Sequence, residues 1–155
     1  MLSFSTGLLN SIIGERGFGA ALYGGVVRVY SGQRPDSADL AIPSGCVEVA
    51  RITTEGRVFY PGSDTENAGL KLKITEDRTI ENDGRWVLTG IATGVASWFR
   101  WNWAFADLNF ESTTLPRLDG DIAVSDAGDL VLPFLQIIPA KSHTLDAFVA
   151  KIGPL

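Results

Sequence analysis

The sequence predicts an all-β fold: one β-sandwich or jelly-roll domain of about eight short antiparallel strands, preceded by a short helical N-terminal segment. Three observations predict it. From Gly25 onward, β-branched and aromatic residues recur with a period of two, in runs bounded by Gly, Pro, Asp and Asn, which is the pattern of strands. Helical spacing is confined to the first two dozen residues. The 155 residues fit one domain, and no repeat, linker or low-complexity stretch marks a second. The expected organisation is 1–24 as a helical docking segment and 25–155 as the sandwich.

In "STGLLNSIIGERG" the apolar pairs Leu8, Leu9 and Ile12, Ile13 fall four residues apart and share one helix face. Ser5 or Thr6 can cap the start, where free backbone N–H groups need an acceptor, and Gly14 can end it. "GFGAALYGG" predicts a further turn or two from Phe18 to Tyr23, closed by Gly24 and Gly25. Helices this short are unstable alone, so both must dock on something larger. "VVRVYS" is the first strand, followed by a turn at "GQRP" and the irregular "DSADLAIPSG". "CVEVARI" leads through a tight turn, "TTEG", to "RVFY" as its hairpin partner. "GLKLKI" alternates Leu70, Leu72 and Ile74 inward with Lys71 and Lys73 outward, so one face should meet water. "TEDRTIENDG" reads as a polar excursion, and "RWVLTGIA" and "GVASWFRWNWAF" follow as strands with a break near Thr93 and Gly94. "GDIAVSD", "GDLVLPFLQIIP" and "TLDAFVAKI" complete the series.

The formal net charge is −5 and the 13 Lys and Arg are scattered singly, so no basic stripe exists to neutralise phosphates and nucleic acid is not an expected partner. The single cysteine, Cys46, excludes an internal disulfide framework; beside Val47 and Val49 it reads as a small buried hydrophobe. The N-terminal apolar run lacks a leading positive charge and is broken by Gly7, Asn10 and Ser11, which does not fit a secretory signal. No run approaches the roughly 18 to 20 apolar residues that cross a bilayer, so no membrane association is expected.

The inventory for catalysis is thin. The one histidine, His143 in "KSHTLD", reads as a solvated loop residue, since a Ser/His/Asp triad is assembled from separated segments. Asp119, Asp121, Asp126 and Asp129 could converge on a hard cation if their strands form a hairpin, but capping turns and keeping edges soluble explain them better. "GERGFG" follows no strand and lacks the lysine of a phosphate-cradling loop. No enzyme activity, cofactor or metal is expected.

The aromatic run carries more information. As a strand, "WFRWNWAF" puts Phe99, Trp101, Trp103 and Phe105 on one face, with Trp98, Arg100, Asn102 and Ala104 on the other. Burying each ring is worth up to roughly 4 to 6 kcal/mol, so the aromatic face belongs in a core. "LVLPFLQII" is apolar on both faces, with Pro133 interrupting its ladder. A small two-layer protein has one interior, so this excess needs a cover from the helices or from another subunit. The expected interface residues are Leu8, Leu9, Ile12, Ile13, Phe18, Trp98, Arg100, Leu135 and Ile137, Trp and Arg being enriched at interface hot spots. The alternative is a carbohydrate platform at Trp98.

"STGLLNSIIGERGFGAALYGGVVRVYSGQRPDSAD", and later "ATGVASWFRW" and "RLDGDIAVSDAGDLVL", resemble in that order a family of small structural proteins of tailed bacteriophages. The resemblance spans most of the chain and departs from the pattern in the aromatic run after Arg100. It implies a non-enzymatic virion protein, made in the host cytoplasm and associating with capsid or portal and neck proteins and with copies of itself. The expected place is the outside of the head or the head-tail neck, as a collar or decoration subunit, with a tail- or fibre-associated carbohydrate-binding module as the alternative. No catalytic residues carry over from the family.

Overall fold

The first helix begins where the capping argument places it. The computed structural model, which describes residues 1–14, 16–63, 68–75, 79–145 and 149–151, opens with a short strand β1 (Ser3–Phe4), then α1 (Thr6–Ile13) and α2 (Gly17–Leu22). Ser5 is extended (φ −66°, ψ 158°), and its buried hydroxyl oxygen accepts from the Leu8 N–H at 3.0 Å. The same hydroxyl accepts from the Arg117 N–H at 2.9 Å and donates to the Leu115 carbonyl at 2.8 Å, so the cap also ties the helix to a distant segment. Gly14 closes α1 by donating its N–H to the Asn10 carbonyl. At Gly7, α1 lies so close to the backbone of Thr114 and Leu115 that a β-carbon would overlap both.

The remaining strands are β2 (Val26–Tyr30), β3 (Glu48–Thr54), β4 (Lys71–Ile74), β5 (Thr79–Asp83), β6 (Trp86–Gly90), β7 (Gly94–Val95), β8 (Trp98–Asn102), β9 (Arg117–Ala123), β10 (Leu130–Val131), β11 (Gln136–Ile137), β12 (Ser142–Thr144) and β13 (Val149–Lys151). The large sheet runs β1-β9-β8-β2-β3-β6-β12, antiparallel throughout, with β10 added parallel to β9. β13-β5-β4 and β11-β7 are two smaller antiparallel sheets. The molecule is thus an all-β, sandwich-like fold with a short helical N-terminal part.

Register explains the two faces of the large sheet. One row across seven strands reads Phe4, Leu118, Trp101, Val27, Ile52, Leu88, His143. The adjacent row, pointing the other way, reads Ser3, Asp119, Arg100, Arg28, Arg51, Thr89, Ser142. Alternation along each strand therefore separates an apolar face from a polar one. The core lies on the apolar face, where Leu8, Ala21 and Leu22 of the helices, Leu70, Leu132, Ile137 and Leu145 close over Val27, Ile52, Phe99 and Trp101. Trp86 meets Trp101 edge-on with centroids 5.6 Å apart. The segment 1–24 belongs to this core, and β1 within it is a strand of the large sheet.

Several expectations are corrected. "RVFY" is not a strand: β3 turns at Glu55 and Gly56, both with positive φ, and pairs instead with β2 and β6, while Phe59 is buried from a loop. The polar "TIEND" is a strand, β5, paired with β4. Leu70 is buried as expected, but Ile74 is 77 % exposed. "LVLPFLQII" is two short strands in different sheets, separated at Pro133, so Leu132 and Ile137 both reach the core. His143 is half-buried on β12, edge-on to Phe134 at 5.2 Å, rather than in a solvated loop. Cys46 is only half-buried, its thiol against the Gln33 carbonyl at 3.2 Å.

Candidate interaction surface

At β8 and β9 the polar face of the large sheet is tied to the chain's own loops. Arg100 forks onto its cross-strand neighbour Asp119, Nε to Oδ1 and Nη2 to Oδ2, each at 2.7 Å, and its Nη1 donates to the Leu40 carbonyl at 3.0 Å. Arg117 makes the same fork on Asp107, again 2.7 Å for both bonds, and reaches the Ala38 carbonyl at 3.4 Å. Both pairs are buried. Burying ions costs several kcal/mol each, which is offset only by geometry of this quality. Burial pushes Asp119 above the ordinary carboxylate range despite the Arg100 guanidinium beside it. At Asp107 burial acts in the same direction, but the Arg117 fork, the Asn109 N–H and the Asn102 amide outweigh it and hold the carboxyl below its ordinary value of 3.8.

These pairs pin two loops, residues 31–47 and 103–116, and in the second loop the anchors alternate. Asn102 Nδ2 donates to Asp107 Oδ2 and to Asn109 Oδ1, both at 2.8 Å, and the Asn109 N–H donates to Asp107 Oδ1 at 2.7 Å. Asn109 adopts a left-handed φ of 60°, which Asn tolerates better than most residues. With Asp107 and Asn109 held inward, Leu108 and Phe110 are turned out, 78 % and 70 % exposed. Half-exposed Phe105 leans on Trp103, centroids 4.9 Å apart, and is held beside the 60–62 turn by the Gly62 N–H, which donates to the Ala104 carbonyl at 2.8 Å. On the apolar side of the sheet, α2, β4 and β5 leave an open cleft of about 620 Å³, lined by Phe18, Tyr23, Leu72, Ile74 and Ile80, with exposed Arg16 at its lip.

The expected interface residues divide between these places. Leu8 and Ile137 are core residues, and Ile12, Phe18 and Leu135 are half-buried against the core, Phe18 also facing the cleft. Leu9 and Ile13 are exposed on α1, Ile13 at 83 %. Trp98 and Arg100 are corrected: both are buried within the chain, Arg100 in its fork on Asp119 and against the Leu40 carbonyl. Trp98 stacks on Tyr30 at 4.7 Å, the Arg100 guanidinium carbon lies 5.8 Å from the Trp98 ring centroid, and burial first, then Glu48, pushes the Tyr30 hydroxyl up to about 12. No sugar can stack on this indole, so the carbohydrate platform at Trp98 is withdrawn. Of the four aspartates only two come together, Asp121 and Asp129, each with one oxygen 3.2 Å from the Met1 ammonium. Asp119 pairs with Arg100, Asp121 lies 3.3 Å from Arg34, Asp129 accepts the Asp121 N–H at 2.9 Å, and Asp126 is exposed. Among the described residues no group of three or more metal-ligating side chains is found.

Sequence reasoning missed Leu108, Phe110, Asp107 and Arg117. The signal was present in "ADLNFE", where Asp and Asn alternate with Leu and Phe immediately after an aromatic strand. Compared with protein-family models, curated proteins and solved structures, the chain finds no match.

Proposed function

We propose that this chain is a non-enzymatic structural protein of a tailed-bacteriophage virion, bound to the outside of the head or to the head-tail neck as a collar or decoration subunit. The observation that carries the reading is the loop 103–116: the buried Asp107–Arg117 ion pair and the Asn102 amide anchor it while Leu108 and Phe110 project into solvent. A loop already ordered loses little further freedom on binding, so apolar side chains displayed this way are suited to docking. Scattered exposed apolar residues are ordinary, whereas a braced pair is not needed for the fold of a monomer. The resemblance of the N-terminal quarter and of the two later stretches to phage structural proteins supports the same reading. The partners are other virion proteins, of the capsid or the portal and neck, and copies of the chain itself, which is made in the host cytoplasm.

The test is imaging of assembled particles that carry this subunit with a label. The reading expects label on the head surface or at the neck, and loss of that label when Leu108 and Phe110 are both replaced by Asp. Particles assembled in the presence of the unaltered, labelled chain that carry no label would overturn it.

A further inference from the structure

We propose that copies of this chain associate head to tail, Leu108 and Phe110 of one copy entering the cleft between α2 and the β4-β5 hairpin of the next. The inference rests on the assembly reading above and names the partner of the loop. Three observations point to a second copy as the occupant. The projecting pair and the cleft lie on opposite sides of the large sheet: the loop is anchored to Asn102 and Arg117 on the polar face, whereas Ala21, Leu22 and Leu72 place α2 and β4 against the core on the apolar face. The loop 103–116 of one copy is therefore turned away from that copy's own cleft. The cleft's volume, about 620 Å³, lies within the roughly 300–1,000 Å³ of pockets that enclose a small ligand, enough for a leucine and a phenylalanine side chain. The flanks carry opposite charge, with exposed Arg16 at the cleft and exposed Glu111 next to Phe110. A projection and a recess on different parts of one surface give a heterologous contact, which closes into a ring or grows as a chain rather than stopping at a two-fold dimer.

The experiment uses two variants of the full chain, Phe110→Asp and Ile74→Asp. Both positions are exposed, and thermal melts followed by circular dichroism check that each variant folds. Sedimentation is read from about 1 μM to about 1 mM. The proposal expects the unaltered chain to associate beyond a dimer as concentration rises and each variant alone to stay monomeric. An equal mixture should form one-to-one dimers and stop, because the intact projection of the Ile74→Asp chain meets the intact cleft of the Phe110→Asp chain while the remaining pair is blocked. An unaltered chain that stays monomeric, a mixture that stays monomeric, or variants that associate like the unaltered chain overturns the proposal. Retained particle binding alongside any of these leaves the assembly reading standing, with the loop docking on a different virion protein. Absence from particles removes that reading whatever the mixture does.

Discussion

Gly7 sets local preference against tertiary contact. Replacing a helical glycine with alanine raises helix propensity by about 1 kcal/mol. Here the new β-carbon would overlap the backbone of Thr114 and Leu115, which cannot rotate away as a side chain can. Gly7→Ala is therefore expected to destabilise the fold by about 1–3 kcal/mol, the usual cost of overpacking, measured by urea unfolding. Asp107 offers a second residue-level outcome. Asp107→Asn leaves the buried Arg117 guanidinium without its counter-charge, and breaking such a pair costs about 3–5 kcal/mol. The sign with pH follows from the lowered pKa. The Asp107 contribution is complete above its ordinary 3.8 and is lost as pH falls through the lower folded-state value. The stability gap between the unaltered chain and Asp107→Asn should therefore narrow on acidification into that range.

Among elements, those set by local chemistry were legible. Ser5 and Gly14 mark the ends of α1, and Gly24 and Gly25 follow α2, because caps and turns depend on neighbouring residues alone. Alternating apolar runs matched β2 and β6 nearly to the residue, whereas the aromatic run leaves the sheet at Asn102, so Trp103 and Phe105 belong to the loop and not to the strand face expected for them. β5 was not legible because its Glu81, Asn82 and Asp83 carry no apolar stripe; it is a strand by virtue of pairing with β4 and β13. "RVFY" has the alternation of a strand, but β3 finds its partners in β2 and β6 and leaves that segment as a loop. Trp98 and Arg100 were misplaced for the same kind of reason. Arg100 is closed off by Asp119 and the Leu40 carbonyl, and Trp98 stacks on Tyr30, contacts between distant parts of the chain that no local pattern encodes. If the loop 103–116 displays rather than supports, Leu108→Asp and Phe110→Asp should each change unfolding free energy by no more than about 0.5 kcal/mol. Asp107→Asn should instead speed amide hydrogen exchange throughout that loop.

At the scale of the whole molecule, the sandwich-like fold consumes most of the apolar surface that the sequence appeared to hold in excess. The indoles of Trp86, Trp98 and Trp101 and the side chains of Leu132 and Ile137 all lie inside the chain itself. Of the apolar surface left over, part sits on a braced loop on one side of the large sheet and part around a cleft on the other. Each copy carries a net charge of −5, so distant copies repel and association has to come from contacts of short range. The most direct measurement is hydroxyl-radical footprinting of Leu108 and Phe110 in the free chain and in assembled particles, with buried Trp98 as an internal reference. The account predicts strong labelling of both residues when free and protection in particles, with Trp98 unreactive throughout. Equal labelling of Leu108 and Phe110 in the two states would contradict it.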